Sequence, residues 1–351
     1  MPPQRHLYLV LDDWECGYSI REVDLSSDDP GPLLIPAGDA RDGAMSYTAE
    51  QPLPPPIFRF EAQRKMPFYF AAAFDSKIVA LQPMPLAHLV PVFDVRQRSL
   101  IFGPRPMLDR SVPIYIPVGN MLFALFDGSF GMLGPPPHVV PNLEGWEWSW
   151  CEPPKPPFKI KHVASHAVHP NGGTIFVSRK KHSLYTTFTF DTITTKCGRA
   201  HFDHELNAWV GLPRHPGAFG HLCSCDVVSA SSTFDEHGPA FKLTKEMLFS
   251  EDPKEVHVGA TLVYMGGRSE FCLVECVRLK DGSVAEVSND SADEMDEDVP
   301  QQVTLLRLTT FSLKYDKKGA LTTGDSRRVW YYSVSNSVSV SILKHPVAFW
   351  M

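Results

Sequence analysis

The sequence predicts an all-β fold built as a radial array of short sheets, a β-propeller. Three observations carry this. Strand-like runs dominate the chain, among them "LYLVL", "FYFAAAF", "KIVAL", "MLFALF", "LYTTFTF", "EFCLVECVRL", "VTLLRLTTFSLKY" and "VWYYSV". Each is short, rich in β-branched or aromatic residues, and bounded by Gly, Pro, Asp or Asn. Helical signal is confined to "FKLTKEMLF", Phe241 to Phe249, barely two turns. A strand that ends in Asp and then turns into another strand recurs along the chain, which is the mark of a repeat architecture.

The recurring aspartates are Asp24, Asp94, Asp127, Asp191, Asp226 and Asp316, between 33 and 90 residues apart. A carboxylate at a strand end accepts the backbone N–H two residues on and fixes the turn. Six catalytic or metal carboxylates would not recur at equivalent strand ends, so the turn role is assigned to all six. Gly pairs beside strands (Gly172–Gly173, Gly266–Gly267) and Trp ahead of Pro-marked loops supply further repeat punctuation. The irregular spacing implies insertions and degenerate blades. Six blades are expected, with five and seven as alternatives, in one domain over residues 1–351.

Composition excludes several functions. The 351 residues carry a net charge of -7, without the basic excess that nucleic-acid binding needs. No apolar run approaches the ~20 residues of a membrane-spanning helix, and Leu7 to Leu11 is too short for a signal core. The seven cysteines are odd in number and dispersed. With no secretion signal they read as reduced thiols, which predicts a cytoplasmic or nuclear protein. Two segments stand apart from the blades: a loop-rich excursion over 28–63, and an acidic loop over 286–302. The latter holds seven acids and no base, equal to the whole net charge of the chain. Such a block stays solvated. Ser291, ahead of Asp293 and Glu294, is a candidate for phosphorylation by acid-directed kinases.

No catalytic, cofactor or metal motif survives weighing. His201, His204 and Glu205 are spaced H-x-x-H-E, not the H-E-x-x-H that places two imidazoles on one helix face, and strand sequence surrounds them. They read as a hairpin turn. His162, His166 and His169 run into Gly172 and read as structural. Cys223 and Cys225 form one C-x-C with no well-spaced second pair to complete a zinc site. Asp12 and Asp13 carry no mark of an acid–base pair. Nucleophile-elbow and phosphate-loop motifs are absent from the sequence. Trp146, Trp148 and Trp150 alternate and share a face on a strand. They are a candidate platform for a sugar or peptide, against packing between blades. The runs "PLPPPIF", "GPPPH" and "EPPKPPF" serve as loop punctuation or as polyproline ligands.

The stretches "FAAAFDSKIVAL", "VFDVRQRSLIFGPRP", "WSWCEPPKPPF", "YTTFTFDTITTKC", "AHFDHELNAWVGL" and "KHPVAFWM" resemble the kelch-like β-propeller proteins expanded in grasses. The resemblance covers most of the chain. It implies a propeller of unknown function that binds another protein through face loops; a monomer without a cofactor is expected. Related plant proteins join such propellers to an F-box, but here strand-like sequence begins by His6 and leaves no room for one ahead of it. An enzyme or metal-dependent specifier protein with its site at the channel mouth is the alternative, and a carbohydrate-binding module the third option. Closure of the ring is expected to pair the N-terminal "HLYLVLDD" with C-terminal strands from "VWYYSV" through "VSVSILKHPVAFWM", because closure removes exposed edges.

Overall fold

The computed structural model describes residues 5–25, 51–81, 89–106, 113–126, 130–137, 148–151, 160–168, 174–181, 184–191, 201–203, 205–213, 216–226, 241–280, 303–324 and 327–351. Within them the chain is all-β in the arrangement of a propeller, with sheets that are antiparallel and mostly meander through consecutive strands, apart from a parallel pairing of two distant strands in the last.

The first sheet has the order β25-β1-β2-β4 and joins β1 (Leu7–Trp14), β2 (Gly17–Val23) and β4 (Pro56–Glu61) to β25 (Val347–Trp350). Next come β5 (Phe70–Ala73), β6 (Lys77–Ala80), β7 (Leu89–Asp94) and β8 (Ser99–Pro104), side by side in that order. The third sheet holds β9 (Ile114–Val118), β10 (Met121–Leu125), β11 (Phe130–Leu133) and β12 (Trp150–Cys151). A three-stranded sheet follows: β13 (Val163–Val168), β14 (Thr174–Lys181) and β15 (Leu184–Asp191). The fifth joins β16 (His201–Asp203), β17 (Ala208–Gly211), β18 (Cys223–Asp226) and β19 (Phe241–Leu243). The last has the order β20-β21-β22-β24-β3, from β20 (Glu255–Gly266), β21 (Glu270–Leu279), β22 (Thr304–Tyr315), β24 (Arg328–Val334) and β3 (Gln51–Pro52), and β23 (Leu321–Thr323) pairs with β22.

Several expectations are corrected. Among the described residues five sheets reach the four strands of a full blade and β13–β15 has three, and the propeller has five blades rather than six. The termini do meet, with Leu7 opposite Trp350 and Val10 opposite Val347. That pairing completes one sheet; among the described residues, hydrogen bonds do not close the arrangement as a whole. "VWYYSV" lies elsewhere, as β24 between β22 and β3. Part of "VSVSILK" is helical: α1 (Val340–Lys344) is capped by Ser339, whose side chain accepts from Ile342 N–H. An apolar–polar alternation reads as strand, but a Ser in cap position turns it into a helical turn. The expected helix over 241–249 begins instead as β19 and continues irregularly, because Gly220 and Leu222 supply its backbone partners. In the expected excursion over 28–63, residues 51–52 and 56–61 are strand. The acidic loop over 286–302, with Ser291, lies outside the described residues, as do Asp127, Trp146, His169 and His204.

The chain divides into two compact units. One comprises Met1–Lys65, Leu212–Ser224 and Ala240–Trp350. Its core is carried by strands buried over most of their length: β21 and β22 bury Phe271, Leu273, Val277, Leu305 and Leu308. The other comprises Met66–Gly211 and Cys225–Pro239, with Met351. One core cluster packs Tyr69, Val79, Val90, Val92, Tyr115, Leu122 and Leu133 together, with Trp148 and Trp150 partly buried against it.

Candidate functional site

The sequence-selected residues come first. Asp94 Oδ1 accepts from Arg96 N–H and Gln97 N–H, each at 3.0 Å. Asp316 Oδ1 accepts from Lys318 N–H at 2.8 Å and Ala320 N–H at 2.9 Å. The hydrogen bond from Lys245 and those two amides hold the Asp316 carboxyl down at about 2. Asp24 lies exposed just past β2, while Asp191 and Asp226 end β15 and β18. Asp203 has the same geometry without having been singled out, accepting Leu206 N–H at 2.8 Å in the hairpin between β16 and β17. His201 therefore opens a strand, paired with Val210, rather than lying in the hairpin turn expected for it, while Glu205 lies in that turn.

Trp148 donates its ring N–H to Gly134 O at 2.8 Å and meets Phe74 edge-on, with centroids 5.9 Å apart. Trp150 donates to Pro104 O at 3.0 Å. Each ring covers a glycine: a Cβ on Gly103 would come within 3.0 Å of Trp148, and one on Gly131 within 2.9 Å of Trp150. Burial pushes the Cys272 and Cys276 thiols up to about 12, which leaves them unreactive. Among the described residues no three His, Cys, Asp or Glu side chains converge as a metal site, and no helix is long and apolar enough to cross a membrane.

The chemistry is concentrated elsewhere, in the β20–β24 sheet. Glu275 sits in mid β21 directly opposite Arg307 on β22, and Arg307 sits opposite Tyr331 on β24. Glu275 Oε2 accepts from Arg307 Nη1 at 2.8 Å and from Ser250 N–H at 3.2 Å. Its other oxygen faces His257 Nδ1 at 2.9 Å. Arg307 Nη1 also donates to Leu248 O at 2.9 Å.

A β-bulge brings His257 into this group. Val277 pairs with His257 but Cys276 pairs with Gly259, so Val258 is an extra residue on β20. Along a regular strand His257 and Ala260 would face opposite sides; the inserted residue puts both on the Glu275 face. The bulge also needs Gly259, where a Cβ would lie 2.3 Å from Lys344 O at the end of α1.

Around the pair the surroundings are dry. Burial raises the Glu255 carboxyl, against the Ser250 hydrogen bond and the Arg307 charge that lower it. Burial likewise raises the Tyr331 hydroxyl and lowers the Arg327 guanidinium. Glu255 Oε2, Arg307 Nε and Arg327 Nε are buried with no hydrogen-bond partner among the described residues.

The network props up an aromatic cluster at the surface. Phe249 stacks on the His257 ring at 4.2 Å and 14°. Phe219 sets its ring nearly perpendicular to both, at 5.0 Å from Phe249 and 5.1 Å from His257. Phe219 itself is 56% exposed, and Met247 and Val256 are exposed as well. The loop that carries it is pinned: Leu248 N–H donates to Gly220 O at 2.7 Å, and Thr244 N–H to Leu222 O at 2.9 Å. Gly220 turns the chain with φ +81, and a Cβ there would meet Met247 at 2.8 Å.

Sequence reasoning missed this site, although a signal was present. Glu275 stands between Val274 and Cys276, and Arg307 between Leu306 and Leu308. A charge inside an apolar strand requires a buried partner.

No curated protein matches the sequence. Among solved structures, the chain is similar to the periplasmic gluconolactonase PpgL of Pseudomonas aeruginosa, with 11% identity over 94% of this chain and 99% of that one and a TM-score of 0.42. It is also similar to a protein from Lactobacillus plantarum, with 9% identity over 94% and 98% of the two chains and a TM-score of 0.39. A family model described as a protein of unknown function matches residues 4–332, and the chain belongs to that family, DUF1668.

Proposed function

We propose that the chain is a non-catalytic protein-binding module whose principal docking residue is Phe219. The observation that supports it is a large aromatic side chain left 56% exposed while its loop is pinned by backbone hydrogen bonds. A rigid exposed aromatic loses little conformational entropy on burial in a partner's pocket, which is why such residues dominate interface energetics. The proposal takes in a kelch-like plant kinship, one domain over residues 1–351, a monomeric state and a cytoplasmic or nuclear setting, all resting on the sequence. Affinity capture from an extract of the source cells tests it. A partner retained by the wild type is expected to be lost with Phe219→Asp, while stability changes by ~1 kcal/mol or less. Equal recovery with both proteins overturns the reading.

An enzyme is the second reading, favoured by one observation: a buried carboxylate orients the His257 imidazole, as it would a general base. Against it, no hydroxyl or thiol among the described residues hydrogen-bonds to that ring. A turnover of any ester, amide or glycoside in the wild type that His257→Gln abolishes would replace the binding reading.

A further inference from the structure

We propose that the face of the β22–β24 pair carrying Arg307 and Thr309 is a binding site for a short aliphatic carboxylic acid, held as its carboxylate between Arg307 and Arg327. A small-molecule site of this kind goes beyond the protein-binding reading and stands without it.

Strand register assembles the site. Arg307 and Thr309 are two apart on β22 and so share a face, and Tyr331 and Val329 lie opposite them on β24. Arg327 stands one residue ahead of β24. Its Nη2 donates to Leu248 O at 3.4 Å, and Arg307 Nη1 donates to the same oxygen at 2.9 Å. The shared acceptor sets the two guanidiniums side by side on that face.

Three polar groups there are left over. Arg307 is 4% exposed and Thr309 0%, yet among the described residues Arg307 Nε and Thr309 Oγ1 have no hydrogen-bond partner, and Arg327 Nε is a third buried atom without one. Glu275 does not serve them: one of its oxygens meets Arg307 through Nη1, and the other faces His257. Buried N–H and O–H groups nearly always have a partner, so three unmet donors on one face call for a ligand rich in acceptor lone pairs.

Charge narrows the class. Arg307 is paired with Glu275, whereas Arg327 forms no ion pair among the described residues. Burial and then the Arg307 charge lower the Arg327 guanidinium, and the charge of the exposed Glu251 raises it only in part. Water would meet the hydrogen bonds but leave this cation uncompensated in a dry site. A monoanion balances it, while a dianion would set its second charge against Glu275 and against Glu255, which itself lies within reach of the Arg307 charge. A carboxylate offers about four lone-pair sites in the plane that guanidinium donors match. Leu273 and Val329 flank Thr309 on the neighbouring strands, which suits a short aliphatic remainder. Val329 and Tyr331 are half-buried rather than sealed, so the face opens along β24.

Titration of the full chain with acetate, propionate and butyrate at fixed ionic strength tests this, by calorimetry and by thermal melting. At least one acid is expected to bind saturably at one site and to raise the melting temperature. Propionamide should do neither, and inorganic phosphate should bind more weakly. Arg327→Gln is expected to weaken the acid at least about tenfold. Without ligand that variant should melt no lower than wild type, because it removes an unpaired buried cation; an arginine with a merely structural role would lower it. Thr309→Val keeps the shape, drops the hydroxyl and should weaken binding as well, and it decides the matter alone if Arg327→Gln does not fold. No saturable binding of any of the three acids overturns the proposal. So does equal binding of propionamide or phosphate, or an affinity unchanged in the variants.

Discussion

Glu275 and Arg307 face each other across β21 and β22, 2.8 Å apart and at 0% and 4% exposure. Removing one member of a buried ion pair strands the other in a dry interior, whereas replacing both with apolar residues of similar size is often nearly neutral. Glu275→Ala is expected to cost about 3–5 kcal/mol in urea unfolding. Glu275→Leu combined with Arg307→Met should cost less than either single change. A single variant within about 1 kcal/mol of wild type would show that the pair is not what holds this sheet.

The bulge on β20 is expected to be as sensitive as the charges it arranges. Gly259→Ala drives a Cβ against the Lys344 carbonyl at 2.3 Å and the Leu343 carbonyl at 2.6 Å, both backbone atoms that cannot swing aside. A loss of about 1–3 kcal/mol is predicted, the range for overpacking a tight site. Deleting Val258 restores a regular strand and turns His257 away from Glu275. In that variant the Phe219 ring should lose its ordered environment, read as loss of ring-current-shifted resonances in NMR. Unchanged resonances would refute the role given to the bulge.

Asp12 fastens the end of β1 to segments far along the chain. Its Oδ1 accepts from Ser339 N–H at 2.9 Å and its Oδ2 from Lys65 N–H at 3.0 Å, at 0% exposure. Arg64 adds a bond from its guanidinium to Asp12 O at 2.6 Å. Asp12→Ala leaves two amides without acceptors, at about 1–3 kcal/mol each. Deleting residues 337–351 removes this latch along with β25 and exposes β1 as an edge; aggregation is expected. A soluble truncation with an unchanged melting temperature would contradict it.

Asp94 sets an acid-sensitive step. Burial alone would raise its carboxyl, but the Lys77 hydrogen bond and charge and the Gln97 and Arg96 amides together bring it below the usual range. A carboxyl depressed in the folded state binds fewer protons there than when unfolded, so its stabilisation is full above the unfolded value of ~3.9 and is lost as pH falls through the folded one. Between about pH 4 and the lower folded value, wild type should lose stability more steeply than Asp94→Asn. Parallel slopes for the two proteins would exclude Asp94 as the source.

Strand content, turn punctuation and the apolar runs that became β21 and β22 were legible in the amino-acid order, because these depend on neighbours within a few residues. So were Asp94 and Asp316, whose bonds reach only two to four positions along the chain. Blade number, the fate of the C-terminus and the candidate site depended on contacts between distant segments. Ser339 became a helix cap with its amide on Asp12, 327 positions away, so a strand-like alternation turned helical. Phe219, His257, Glu275 and Arg307 lie on four separate stretches, and only strand register and one extra residue on β20 bring them together. Register is a property of the paired strands, not of either one, so where the charges met was settled by the folded arrangement and by nothing local.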